Sequence, residues 1–116
     1  MVRLLVSEGY AFDFLSILEV KTGKSPSTQN TRNFADTLAN LRDQLGSDRL
    51  AEILQSPEYR DLVQTNQQVF EAVDGAKRDA VPASTVDALN YRRFECKQRL
   101  QNKFFTEPLT EQKIGY

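Results

Sequence analysis

Histidine and tryptophan are absent from this sequence, and cysteine and methionine occur once each. Each absence removes chemistry. Without histidine there is no imidazole proton shuttle, no His-based catalytic triad and no zinc site of the usual kind. The single Cys96 allows no internal disulfide, so nothing points to an oxidising compartment. No apolar run approaches the roughly 20 residues needed to cross a bilayer, and the first residues show no signal-peptide pattern. The expectation is a small cytoplasmic protein with no membrane partner.

What is present reads as globular. The chain has 116 residues, 40% hydrophobic and 27% charged, with 15 basic against 16 acidic side chains. That length supports one modest core, a single domain over 1–116, and the balanced charge argues against disorder. The charge is unevenly placed. Asn33 to Asn90 carries ten acidic and five basic residues, whereas from Tyr91 to Lys103 five basic residues (Arg92, Arg93, Lys97, Arg99, Lys103) face Glu95 alone. A basic stretch can meet a phosphate backbone. The simpler account makes the acidic segment its partner, within the fold or across a dimer. Nucleic acid is disfavoured, because its binders carry a basic excess over the whole domain.

Periodicity gives the elements. Val2, Leu4 and Val6 alternate like a brief strand, and Ser7 suits a helix N-cap. Ala11, Phe14, Leu15 and Leu18 follow at helical spacing to about Lys21, and Gly23 with Ser25-Pro26-Ser27 opens a polar loop through about Thr31. Phe34, Leu38, Leu41 and Leu45 form a helical seam that Gly46 ends, with Ser47 placed to cap a short helix holding Leu50, Ile53 and Leu54. Ser56-Pro57 restarts a long helix with Leu62, Asn66, Val69, Val73, Ala76 and Ala80 on its seam, in which Gly75 marks a close contact or an early end. After Val81-Pro82, Ser84 or Thr85 is placed to cap a last helix with Val86, Leu89, Arg93, Cys96, Leu100 and Phe104 in line, stopped by Pro108. The expected fold is all-α, an antiparallel bundle of about four helices. A further expectation is a two-stranded patch in which Thr110 to Tyr116 folds back beside Val2 to Val6, with Ile114 buried and Lys113 exposed.

Two seam positions are polar where the pattern calls for apolar groups, Asn66 and Arg93. A buried Arg needs a partner, and Glu71 and Asp74 on the preceding helix are the ones expected. Asn90 and Lys97 share a face with Arg93. The group reads as a buried network that fixes helix register, or as a pocket for an anionic ligand. Glu71-x-x-Asp74, two carboxylates on one helical face that could share Mg²⁺, also resembles half of the acidic magnesium site of all-helical nucleotide pyrophosphohydrolases. The matching Glu-Glu-x-x-Glu half is missing, so no metal or other cofactor is expected. Cys96, on an apolar stripe with no His to activate it, reads as core.

The run Val6-Ser7-x-Gly9-x-x-x-Asp13-x-x-x-Ile17-Leu18-Glu19-Val20-Lys21 resembles the start of a family of short helical proteins of unknown function in bacteria and marine phages. The likeness continues through Asn66, Phe70, Glu71 and Asp74 to Asn90-Tyr91-Arg92-Arg93 with Lys97, and to the tail Glu111 to Tyr116. The sequence departs from that pattern at Tyr10 and Phe14, where the family has Glu and Lys. The resemblance implies a helical fold and assigns no activity. It adds a first-helix group to the candidate cluster, which then comprises Asp13, Glu19, Lys21, Asn66, Glu71, Asp74, Asn90, Arg92, Arg93 and Lys97. With no catalytic residue named, the function expected is that of a non-enzymatic helical interaction module, with a protein partner or itself as a homodimer. The alternatives are a small anionic ligand or Mg²⁺–nucleotide at the polar cluster, and weak nucleic-acid binding through Arg92 to Lys103.

Overall fold

The computed structural model describes Val2 and residues 4–110. Over these residues the chain is all-helical, with five helices: α1 (Glu8–Lys24), α2 (Thr28–Leu45), α3 (Ser47–Leu54), α4 (Pro57–Lys77) and α5 (Ala83–Phe104). The two-turn α3 is the short helix expected after Gly46, and with it the described residues hold five helices where the bundle is expected to have about four. Local chemistry sets most of the boundaries. Ser27 accepts a hydrogen bond from the Asn30 N–H (3.0 Å), and the Asn30 amide donates to the Ser25 carbonyl (2.8 Å), so α2 begins a turn earlier than a loop through Thr31 would allow. Gly46 ends α2 at φ +88°, a backbone conformation that favours glycine, and α3 starts at the next residue, so Ser47 lies inside the helix rather than capping it. Ser56 caps α4 as its sequence indicates, accepting from the Tyr59 N–H (3.2 Å), with Pro57 at the first position.

Both readings of Gly75 apply. Helix α4 ends at Lys77, and the Gly75 carbonyl accepts from the N–H groups of Arg78, Ala80 and Val81 (3.2, 2.7 and 3.3 Å). A Cβ at Gly75 would collide with Val81 Cγ2, so the reversing chain needs the glycine's empty side. Pro82, not Ser84 or Thr85, stands at the cap position of α5, and no side chain caps that end. At the other end α5 stops at Phe104, four residues before Pro108, and Phe105 turns extended.

One core collects side chains from all five helices: Phe12, Leu15, Leu41, Leu50, Ile53, Tyr59, Leu62, Cys96, Leu100 and Phe104. Each fully buried aliphatic or aromatic side chain contributes about 1.5–3 kcal/mol relative to exposure. Helices α4 and α5 pack antiparallel, with Glu58 against Lys103 (2.8 Å) at one end and Thr65 against Cys96 (3.6 Å) midway. Helix α1 also runs antiparallel to α5, since Gly9 meets Gln101 and Asp13 meets Arg93. The expected α1 stripe is rotated. Phe12, Leu15, Leu18 and Val20 are buried, while Phe14 is 55% exposed. The reason is that α1 packs against α2, α4 and α5 at once, and so buries polar positions, Asp13 and Ser16, along with apolar ones.

The two-stranded patch is corrected. Val2 and Leu4 to Val6 form no strand, and the apolar side chains of this arm are exposed, Leu5 at 84%. The chain does fold back, but onto Ser7. Ser7 Oγ donates to the Thr110 carbonyl (3.0 Å) and accepts from the Thr110 N–H (2.9 Å). Leu109 lies over Gly9, where a Cβ would come within 2.8 Å of its Cδ1. Ile114 and Lys113, expected on opposite faces of a strand, lie outside the described residues. Because Ser7 bonds the tail, the α1 N-terminus takes its acceptor from another helix: Gln101 Oε1 accepts the Gly9 N–H at 2.7 Å.

Candidate functional site

The centre of the predicted cluster forms where α1, α4 and α5 meet. Asp13 is 5% exposed, and both its carboxylate oxygens are engaged. Oδ1 accepts from Asn66 Nδ2 (2.9 Å) and Arg93 Nε (2.9 Å), and Oδ2 accepts from Arg93 Nη2 (2.6 Å) with Lys97 Nζ at 3.7 Å. Arg93 thus grips Asp13 with two parallel bonds, the strongest arrangement an Arg–carboxylate pair adopts. Asn66 Nδ2 also donates to Ser16 Oγ (2.7 Å), which in turn donates to the Asp13 carbonyl (2.7 Å). Lys97 rests over the Tyr10 ring, 4.6 Å from its centroid. Burial by itself pushes the Asp13 carboxyl up, but the hydrogen bonds of Arg93 and Asn66 and the charges of Arg93 and Lys97 outweigh it and hold the group below the usual carboxylate range. The same pair of bonds raises Arg93 further, against its burial.

Of the ten candidate residues, four therefore converge: Asp13, Asn66, Arg93 and Lys97. The expected partners of Arg93 are corrected, since the carboxylate it meets is Asp13 on α1. Glu71 and Asp74 are exposed, and Glu71 faces Lys24 of α1 (3.4 Å) and Gln67 (3.5 Å) instead. Asp74 and Lys21 line an open recess at the α1–α2 corner. Glu19 pairs with Arg60 (3.1 Å) and accepts from the Tyr59 hydroxyl (3.4 Å), away from the cluster. Asn90 is exposed and donates to the Val86 carbonyl (3.2 Å), and Arg92 is exposed. Two members of the network went unforeseen, Ser16 and Tyr10. A signal for Ser16 exists, because Gly9, Asp13, Ser16 and Val20 recur in steps of four, three and four, the period of a buried helical row.

The arrangement is chemically quiet. The polar atoms of Asp13 and the Asn66 amide nitrogen are bonded to one another and to Ser16, Arg93 and Lys97. Among the described residues no group of three or more His, Cys, Asp or Glu side chains is placed to share a metal ion. The basic charge of α5 is largely taken up inside the fold, with Arg93 and Lys97 on Asp13 and Lys103 on Glu58. Cys96 is buried beside Thr65 and accepts from Arg99 (3.3 Å). None of the described helices is long and apolar enough to cross a membrane. No family model, curated protein or solved structure matches this chain.

Proposed function

We propose that this chain is a non-enzymatic helical interaction module, an antiparallel bundle held in register by the Asp13–Asn66–Arg93 network, that acts in the cytoplasm of a bacterium or phage-infected cell. Its partner is a second copy of itself, met through the outer face of α1 and α5. The observation that carries this reading is the exposure of large aromatics beside the network: Phe14 at 55%, Tyr91 at 67% and Phe94 at 41%. Phe14 follows Asp13 on α1 and Phe94 follows Arg93 on α5, two helices that pack against each other at the network. Aromatic side chains are enriched in interfaces, and folded surfaces rarely leave several of them in water together. The self-contained bonding of the network supports a register-setting role rather than ligand capture.

The test is size-exclusion chromatography with light scattering at tens of micromolar. A mass of twice 13.2 kDa is expected, falling to the monomer in the doubly substituted Phe14→Ser, Phe94→Ser chain. A monomer in the unsubstituted chain sinks the self-association.

A further inference from the structure

A second polar region lies at the other end of α1. The last turn of α1, the start of α2 with the connection before it, and the C-terminal part of α4 border an open recess lined by Lys21, Lys24, Ser25, Asn30, Phe70 and Asp74. One wall is tied in place by the backbone and by short polar side chains. The Ser25 N–H donates to the Lys21 carbonyl (2.8 Å), Asn30 Nδ2 donates to the Ser25 carbonyl (2.8 Å), and Ser27 Oγ accepts from the Asn30 N–H (3.0 Å). A wall fixed before a ligand arrives loses little entropy on binding it.

The charges are divided between the walls. Lys21 and Lys24, three residues apart on one face of α1, bring two ammonium groups to one side. Asp74 brings a carboxylate to the other, one turn along α4 from the half-buried ring of Phe70. Glu71 stands at the rim, 3.4 Å from Lys24, with both side chains partly in water (58% and 40% exposed), where such a contact is weak and readily exchanged. A simple anion entering here meets the Asp74 and Glu71 carboxylates, and a simple cation meets the two lysines. A ligand with both charges on one short skeleton satisfies both walls. Two ammonium groups suit a phosphate, with its charge near −2 and three acceptor oxygens, better than they suit a single carboxylate. An aromatic face beside a carboxylate suits a quaternary ammonium.

We infer that this recess binds a phosphocholine-type zwitterion, its phosphate on Lys21 and Lys24 and its ammonium between Phe70 and Asp74. Lys21 shares the exposed side of α1 with Phe14, two turns away, but the inference does not rest on the proposed dimer. Such a group comes as a free metabolite, a phosphomonoester with the charge and three oxygens just described, or as a lipid headgroup, a phosphodiester with one negative charge and two free oxygens.

Amide NMR of the full chain, titrated with phosphocholine, inorganic phosphate and choline in turn, tests the inference. Phosphocholine is expected to give saturable shifts in residues 21–30 and 70–74, with phosphate alone and choline alone each at least about tenfold weaker. Lys21→Gln and Asp74→Asn, both at exposed positions that leave the core intact, are each expected to weaken phosphocholine binding by about tenfold. Sedimentation with phosphatidylcholine vesicles separates the two sources. Binding of free phosphocholine without co-sedimentation assigns the free metabolite, and co-sedimentation that Asp74→Asn abolishes assigns the headgroup. The inference is overturned if phosphocholine shifts none of these amides at about 10 mM and the vesicles do not sediment the protein. It is equally overturned if phosphate alone binds as well as phosphocholine, or if both variants bind like the unsubstituted chain.

Discussion

Near the start of α1, Asp13 is 5% exposed and carries bonds from Asn66 on α4 and Arg93 on α5. Near its end, Lys21 and Lys24 stand in water across an open recess from Asp74. The residue types are alike; the solvent is not. Where water is excluded, a charge must be answered by a partner with good geometry, and removing that partner leaves an uncompensated buried ion. Where water has access, the same pairs exchange with solvent at little cost and stay available to a ligand. One helix thus carries a structural polar cluster at one end and an addressable one at the other.

The largest effect that can break this contrast is expected from Asp13→Ala. It strands Arg93 and Lys97 in a largely desolvated site and should cost about 3–5 kcal/mol in urea unfolding. At the outer end, Lys24→Ala and Glu71→Ala should each change stability by less than about 1 kcal/mol in the same assay. Equal effects at the two ends would erase the distinction.

The two glycines of α1 sharpen it. A Cβ at Gly9 would meet Leu109 Cδ1 at 2.8 Å and the Lys97 carbonyl at 3.0 Å, and the carbonyl cannot step aside as a flexible side chain can. A Cβ at Gly23 meets nothing within 4 Å. Gly9→Ala should therefore destabilise by about 1–3 kcal/mol, the usual range for overpacking. Gly23→Ala should stabilise by up to about 1 kcal/mol through helix propensity alone. Thermal melts of the two variants, moving in opposite directions, check this.

A smaller effect is expected in acid. The Asp13 carboxyl is held low in the folded chain, so below the unfolded value of about 3.9 the unfolded chain binds more protons. The contribution is therefore full above that value and is lost as the pH falls through the lower folded value. Unfolding followed from pH 5 down to 2 should show a shallower acid loss in Asp13→Asn than in the unsubstituted chain, from a lower starting stability.

Helix ends were legible where they depend on residues next to one another. Ser56-Pro57 and Gly46 announce their boundaries because a cap hydroxyl, a fixed proline φ and a left-handed glycine act within a few residues. Asn66 and Arg93 stood out as polar members of apolar rows, and both are in the network. The partner did not stand out. Glu71 and Asp74 were the near choice along the chain, but which face of α4 turns toward α5 is a tertiary matter, and Asp13 lies 80 residues away from Arg93. The α1 face was misplaced because a helix packed on three sides buries polar and apolar residues together, which blurs the periodicity. Gln101 is hidden in the sequence for a related reason. Fully buried, it bonds the Gly9 N–H, Glu8 Oε1 (3.0 Å) and the Glu107 carbonyl (3.0 Å), partners that no residue-type pattern reveals. Its place in the row Arg93, Lys97, Gln101, at steps of four along the side of α5 that meets α1, was the available clue.

Asp13 and Arg93 act as one buried tie between α1 and α5, and a double-mutant cycle measures that directly. Asp13→Ala, Arg93→Ala and the double variant, each unfolded in urea at pH 7, give the coupling between the two side chains. Because Asn66 and Lys97 also engage Asp13, the cost of the second substitution does not vanish. Each substitution is expected to cost less once the other is made, by a coupling of about 1.5–3 kcal/mol, at the upper end of the range for residues in direct contact. Additive costs, with a coupling below about 0.5 kcal/mol, would contradict it.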